Sequence, residues 1–376
     1  MKKCGLFTFT CADNFGAVLQ NFALESWIRD NCSDIEIETI NYISSVIRSG
    51  YLPELRIPPC NSVSAAVKFV PRLLRRFYVF RLIMRRNDKF ASFKKANLNL
   101  SCLYDIKEAL QDVSSKYDCL LTGSDQVMNP KITKDDWDVY SLALFDGCSK
   151  IGYAVSSGSV NNLTPGIVVS LKTFERLSAR ESDLAGELSQ KLGYFVPHVV
   201  DPVFLKTREE WECISLTSSG LRKVKGDYVF TYMANREART FAKKLARKEH
   251  MKVVSIEYCL PLIEGVVYAG DCGPAEFIKW LADAKYVVTS SFHATAFSVI
   301  FHKQLFCFAN ESGRNRIDSI MAPLGLSRLV FSSAGDVGKD SCPVDWDDVD
   351  ARLSLLREKS QAWLKSALEG VVDDKD

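Results

Sequence analysis

From Cys4 to Phe308 short apolar runs alternate with stretches of helical character, and that alternation restricts the chain to few folds. Cys4–Phe9, Ile35–Ile40, Tyr117–Thr122, Lys150–Val155 and His198–Val200 read as strands of the first half. Ala17–Arg29, Val70–Lys95 (broken or kinked near Asn87), Ile106–Leu110 and Ile167–Phe174 read as helices, and Pro53, Pro58 and Pro59 mark a loop. The second half repeats the pattern. Its strands are Tyr228–Tyr232, Lys252–Glu257, Tyr286–Val288 and Leu305–Phe308; its helices are Arg236–Glu249, Pro274–Ala284 and Ala294–Phe301. A strand followed by a helix and another strand favours parallel pairing through right-handed crossovers. A chain of 376 residues is long for one core. The expectation is therefore two Rossmann-like domains of parallel sheet, residues 1–205 and 206–345, facing a cleft, with a hinge near Phe204–Trp211. Residues 346–376 form a closing helix, about Val349–Leu368, and a tail.

The formal charge of +2 gives no global attraction to nucleic acid, and no such partner is expected. Twelve cysteines occur as singletons without a CxxC pair, which argues against a zinc or redox motif and for buried reduced thiols. No cofactor and no metal are expected. The start of the chain is too short an apolar run for a signal peptide, and no run of about 18 apolar residues occurs, so the expected location is the cytoplasm.

Thr289–Ser298 carries the most chemistry. The strand Tyr286–Val288 passes through Ser290, Ser291, Phe292 and His293 into a helix. This sets backbone N–H groups, two hydroxyls and one of only four histidines at a helix N-terminus, which suits an anion and a proton transfer. Other loops also follow strands. Asp13-Asn14-Phe15-Gly16 is either a ligand loop, with Gly16 admitting close approach, or a capped helix start. Gly123-Ser124-Asp125-Gln126 is either a polar site or a tight turn, and Ser156-Ser157-Gly158-Ser159 an anion loop or a plain one. Arg180 offers a fork for a carboxylate or phosphate, or a surface pair with Glu181. Arg314 and Arg316 fall in a loop after Leu305–Phe308, near the His293 loop; the sequence does not choose between them. GxGxxG and GxxxxGK are absent, which disfavours dinucleotide and P-loop sites. Between Lys68 and Lys95 ten basic residues face one acid, Asp88, with aromatic residues between them. That is either an outer helix with snorkelling arginines or a helix that docks peripherally on anionic lipid at the inner membrane surface.

Taken in order, Asp13–Gln20, Gly123–Pro130, Tyr153–Gly158, Ala179–Glu181, Asp201–Val203 and Ser290–Ser298 resemble the bacterial polysaccharide pyruvyl transferase family over roughly residues 3–330. The family often has Trp where Met128 stands and Gly where Ala294 stands. The resemblance implies a two-domain fold like the GT-B glycosyltransferases. It also implies phosphoenolpyruvate as donor and a sugar acceptor, on an undecaprenyl-pyrophosphate carrier or a growing surface polysaccharide. The product would be a cyclic ketal across two sugar hydroxyls. On this reading His293 is the general acid/base; Arg180, with Arg316 or Arg314, holds the donor; and Ser290 and Ser291 complete the anion site. Asp125 would assist the hydroxyl chemistry, and Asn14, Gly16, Gly123, Ser124 and Gln126 would face the acceptor. Arg180 and His293 fall in different halves, and if cleft closure brings them together that motion would be part of the mechanism. Two other functions share the architecture. One is a GT-B nucleotide-sugar glycosyltransferase. The other is a non-catalytic binding subunit at a membrane surface.

Overall fold

The structure is a computed structural model that describes residues 1–51, 63–218, 224–257, 264–338 and 343–373. The side chains of 63–72, 311–312 and 371–373 are outside it, as are the Pro53, Pro58 and Pro59 loop and Cys60, Cys259 and Cys342.

Two six-stranded sheets organise these residues. The first holds β1 (Lys2–Phe7), β2 (Ile35–Tyr42), β3 (Leu100–Tyr104), β4 (Cys119–Gly123), β5 (Ser149–Val155) and β6 (Arg176–Ala179), in the order β3-β2-β1-β4-β5-β6. The second holds β7 (Tyr228–Tyr232), β8 (Lys252–Ser255), β9 (Val266–Tyr268), β10 (Tyr286–Thr289), β11 (Gln304–Phe308) and β12 (Val330–Phe331), in the order β12-β11-β10-β7-β8-β9. Every ladder between these strands is parallel. Each half thus has the doubly wound order 3-2-1-4-5-6, whose crevice opens where the order reverses, between the first and fourth strands.

The strands β1, β4, β5, β7, β10 and β11 fall where their apolar runs predict. Three corrections concern the site. His198–Val200 is not a strand; His198 makes one isolated bridge to Ala179. Arg314 and Arg316 lie on a helix, Glu311–Met321, and not in a loop. The helix Val63–Asn97 runs unbroken past Asn87.

The helix Phe15–Asn31 is buried from Phe15 to Ile28, on all sides. A helix with no solvent face sits in the middle of a molecule. Phe15 stacks on Phe277 of the second half (4.4 Å, 13°) and meets Tyr232 edge-on (5.4 Å). Phe22 packs on Trp211, and Trp211 on Phe297 (5.8 and 4.9 Å). The segment expected as a hinge is in this seam: Phe204 and Trp211 are fully buried, and the Trp211 indole donates to the Val203 carbonyl. The closing helix, Trp346–Asp373, returns to the first half, where Arg357 donates to the Phe204 carbonyl and the Ser360 hydroxyl accepts from the Val200 N–H.

Candidate active site

A cavity of about 310 Å³ opens between the two reversal points. Asn14 follows β1, Asp125 and Gln126 follow β4, Met233 follows β7, and Ser290, Ser291 and His293 follow β10; all line it. Arg316 joins them from the helix after β11. Two of these residues, Asp125 (φ 62°) and Met233 (φ 47°), hold left-handed backbone, a conformation that tends to gather at functional sites. Asn14 caps the helix Phe15–Asn31 by accepting from the Gly16 and Ala17 N–H groups, and Ser291 caps the helix Phe292–Ile300 by accepting from the Ala294 N–H. Both helix starts are thereby aimed at the same space.

His293 is connected to the first half through Asp201. Its Nε2 is sealed from solvent, has no hydrogen-bond partner, and lies 3.6 Å from Asp201 Oδ2. That separation is an ion-pair distance and too long for a hydrogen bond. The same carboxylate accepts from Arg180 Nη1 (2.9 Å), the Ser124 hydroxyl (3.1 Å) and the Val203 N–H (3.1 Å). Burial alone would raise the Asp201 carboxyl. His293, Arg180 and the Val203 N–H outweigh it and hold the group well below the usual carboxylate range. Arg180 also donates to Glu181 (3.2 Å) and to the Ser156 hydroxyl (3.1 Å), and its Cζ sits 4.7 Å from the Phe292 ring centroid. Burial opposes its charge, yet Glu181, Asp201 and Asp125 keep it firmly protonated. Arg180 and His293 therefore share one carboxylate without any closure of the cleft.

This geometry changes the reading of several residues. Arg180 is 3 % exposed and is absent from the cavity wall, so it braces Asp201 and Phe292 from behind. Ser124 is fully buried on Asp201, and Ser156 on Glu181. Gly123 packs β4 against β5, where a Cβ would sit 2.6 Å from the Tyr153 carbonyl oxygen. Neither Gly123 nor Ser124 faces the cavity. Arg314 turns away, to Asp318 (3.2 Å) and Ser332 (3.2 Å). Arg316 lines the cavity with a buried Nε that has no partner. Burial and then Arg180 push it down from its ordinary value, while Asp125 and Glu181 oppose them. Asp201 was legible only as part of an Asp-Pro-Val segment with no role, and Glu181 only as a neighbour of Arg180. Among the described residues no cluster of His, Cys, Asp and Glu is arranged to hold a metal.

Gly16 packs directly against His293. A Cβ on Gly16 would lie 2.0 Å from His293 Nδ1, so glycine makes room for the imidazole. Gly16→Ala should move the ring by more than an ångström while favouring the helix itself. Turnover is expected to fall about 100-fold, the usual cost of misplacing a reacting group by that much. Steady-state kinetics beside a thermal melt checks this; normal turnover would show that the ring has no catalytic position to lose.

A family model described as polysaccharide pyruvyl transferase matches residues 14–312, a span that contains every cavity residue named above except Arg316. The chain belongs to the polysaccharide pyruvyl transferase family. No curated protein matches the sequence. Among solved structures, one from Listeria monocytogenes described as a UDP-N-acetylglucosamine 2-epimerase superposes with a TM-score of 0.50 at 8% identity, over 100% of this chain and 97% of that one. The UDP-GlcNAc 2-epimerase of Neisseria meningitidis bound to UDP-GlcNAc is a looser likeness (TM-score 0.46, 11% identity, 98% and 94% covered). So is the E. coli heptosyltransferase WaaC (TM-score 0.37, 13% identity, 81% and 87% covered). At 8% identity the Listeria monocytogenes likeness is one of fold. Together with the two parallel sheets it makes this polysaccharide pyruvyl transferase family member a two-domain, GT-B-like α/β protein. Among its described residues no helix is long and apolar enough to cross a membrane.

Proposed function

We propose that the chain transfers the pyruvyl group of phosphoenolpyruvate to two hydroxyls of one sugar, forming a cyclic ketal in the synthesis of a bacterial surface polysaccharide such as a capsule or exopolysaccharide. The observation that carries this reading is the lining of a single cavity by a carboxylate-backed imidazole and by Arg316, whose Nε is buried without a partner.

Nε2 is turned to Asp201, so we assign Nδ1 as the nitrogen that meets the donor. In our scheme it delivers a proton to the methylene carbon of phosphoenolpyruvate. The C2 centre becomes oxocarbenium-like and one sugar hydroxyl adds to it. Phosphate then departs with its bridging oxygen, and the second hydroxyl closes the ring. Of the two hydroxyl hydrogens, one replaces the proton given to the methyl group and the other leaves on phosphate. Asp201 steadies the imidazolium between these transfers, as a buried carboxylate does for a catalytic histidine elsewhere. Arg316, with Ser290, Ser291 and the N-terminus of the helix Phe292–Ile300, would hold the donor's anionic groups. Asp125, Gln126 and Asn14 would meet the acceptor, carried on undecaprenyl pyrophosphate or on a growing polysaccharide at the cytoplasmic side.

Calorimetric titration of phosphoenolpyruvate tests the reading. Wild-type protein is expected to bind it, and Arg316→Ala to bind at least tenfold more weakly, the loss of a charged hydrogen bond. Arg314→Ala should leave binding unchanged. Tight binding of a nucleotide sugar with none of phosphoenolpyruvate would replace the reading with glycosyl transfer.

A further inference from the structure

The helix Val63–Asn97 has one face that the fold does not use. Leu82, Arg86, Phe90 and Phe93 are its buried stripe. Arg86 lies over the Phe15 ring (4.3 Å), and Lys94 pairs with Asp13 (3.1 Å), so the helix is anchored beside the start of the helix Phe15–Asn31. On the other side Leu74, Phe77 and Met84 are 63%, 52% and 41% exposed. At 100° per residue, Leu74, Phe77, Arg81, Met84 and Arg85 fall within a sector of about 100°. Arg81 and Arg85 lie inside that sector, both exposed, while Arg75 and Arg76 fall about 80° outside its two edges. From Leu73 to Asn87 the helix carries no acid. Arg85 has a distant counter-charge, Asp271, at 3.9 Å.

We infer that this face docks on an anionic phospholipid surface. Three large apolar side chains with Arg81 and Arg85 on the same face suit the boundary between headgroups and acyl chains: the apolar groups enter the boundary and the guanidinium groups stay at the phosphates. A second copy of the chain fits poorly, since pairing this face with itself would bring arginines against arginines. Nucleic acid would leave Leu74, Phe77 and Met84 without an apolar environment. The whole chain carries only +2, so the local charge is a patch and not a general property. The helix also links the face to the site. Its Lys94 and Lys95 line a groove of about 360 Å³ with Arg48 and Tyr51, and Tyr51 also lines the His293 cavity. An acceptor held at the bilayer would thus reach the reaction space along the same helix. The inference itself requires only the lipid contact and stands apart from the reaction.

Co-sedimentation of the full chain with vesicles tests it. Phosphatidylcholine vesicles containing phosphatidylglycerol should bind the protein, pure phosphatidylcholine should not, and high salt should release it. Each basic side chain at such a surface is worth about fivefold in partition, so R81E/R85E should weaken binding by roughly 25-fold or more. L74S/F77S/M84S should weaken it as well with the charge intact. All five side chains are exposed, so both variants should melt close to wild type. Absence of binding to the anionic vesicles, or binding that neither variant weakens, overturns the inference. So does a dimer, seen by analytical ultracentrifugation, that L74S/F77S/M84S dissociates, because the face would then be a self-interface.

Discussion

Arg180→Ala should lower the melting temperature by about 5 °C, the largest stability effect expected of any single change near the site. Arg180 is buried with direct bonds to Asp201 and Glu181, and all three are 3% exposed or less. Removing the cation leaves two buried carboxylates with less compensation, a loss of about 3–5 kcal/mol. With an unfolding entropy of about 2.1 cal/mol/K per residue over the whole chain, that corresponds to about 4–6 °C. The loss should depend on pH in a defined direction. In the wild type Asp201 is held below the usual range, so it stabilises the fold above the unfolded value near 3.9, and that contribution fades as pH falls through its folded value. Glu181 is already raised, chiefly by burial, although Arg180 opposes the shift. Without Arg180 both acids should take protons at higher pH. The gap between wild type and variant is therefore widest near neutrality and narrows toward pH 4. Urea unfolding at pH 7 and near pH 4.5 measures both gaps; a gap that is equal at the two pH values would contradict this account of the ion network.

His293→Gln should act far more on rate than on stability. Glutamine is similar in size and polar, and the interaction it loses is a 3.6 Å contact with Asp201, not a hydrogen bond. A positioned acid/base contributes about 10²–10⁴-fold, so phosphate release from phosphoenolpyruvate in the presence of the acceptor should fall by that factor. Donor affinity should stay near the wild-type value, because the cation assigned to the donor is Arg316. Turnover within about threefold of wild type would remove His293 from the chemistry.

The fold was legible to the extent that its strands are buried on both faces. β4 reads Cys-Leu-Leu-Thr-Gly and is fully buried, so its apolar run stands out. β9 and β12, three and two residues long at the sheet edges, have no run to recognise. β3 has two exposed positions out of five and is interrupted by polar residues. The loops of the cavity were legible because a parallel sheet brings out its strand ends at one edge. The contacts between them were not. Nothing near Gly16 in the chain announces that an imidazole from the other half will lie against its Cα. Asp201 is identifiable as a partner only when Arg180, Ser124 and His293 are seen around one oxygen. The choice of Arg316 over Arg314 needed the knowledge that the segment is helical. Two positions apart on a helix is about 200° of rotation, so when one side chain faces the cavity the other faces away.

The aromatic seam of Phe15, Phe22, Trp211, Phe277 and Phe297 has a consequence for how the molecule holds together. Each close ring pair is worth about 0.5–1.5 kcal/mol beyond its buried area, and the rings come from both sheets' helices. Neither half is then a finished body. Dissected at the connection between the sheets, each fragment would present a sticky apolar surface and should aggregate when produced alone, whereas the two produced together should reassemble. The intact chain should melt in one endotherm, with calorimetric and van't Hoff enthalpies in agreement, because the halves cannot come apart without unpacking the centre of the molecule.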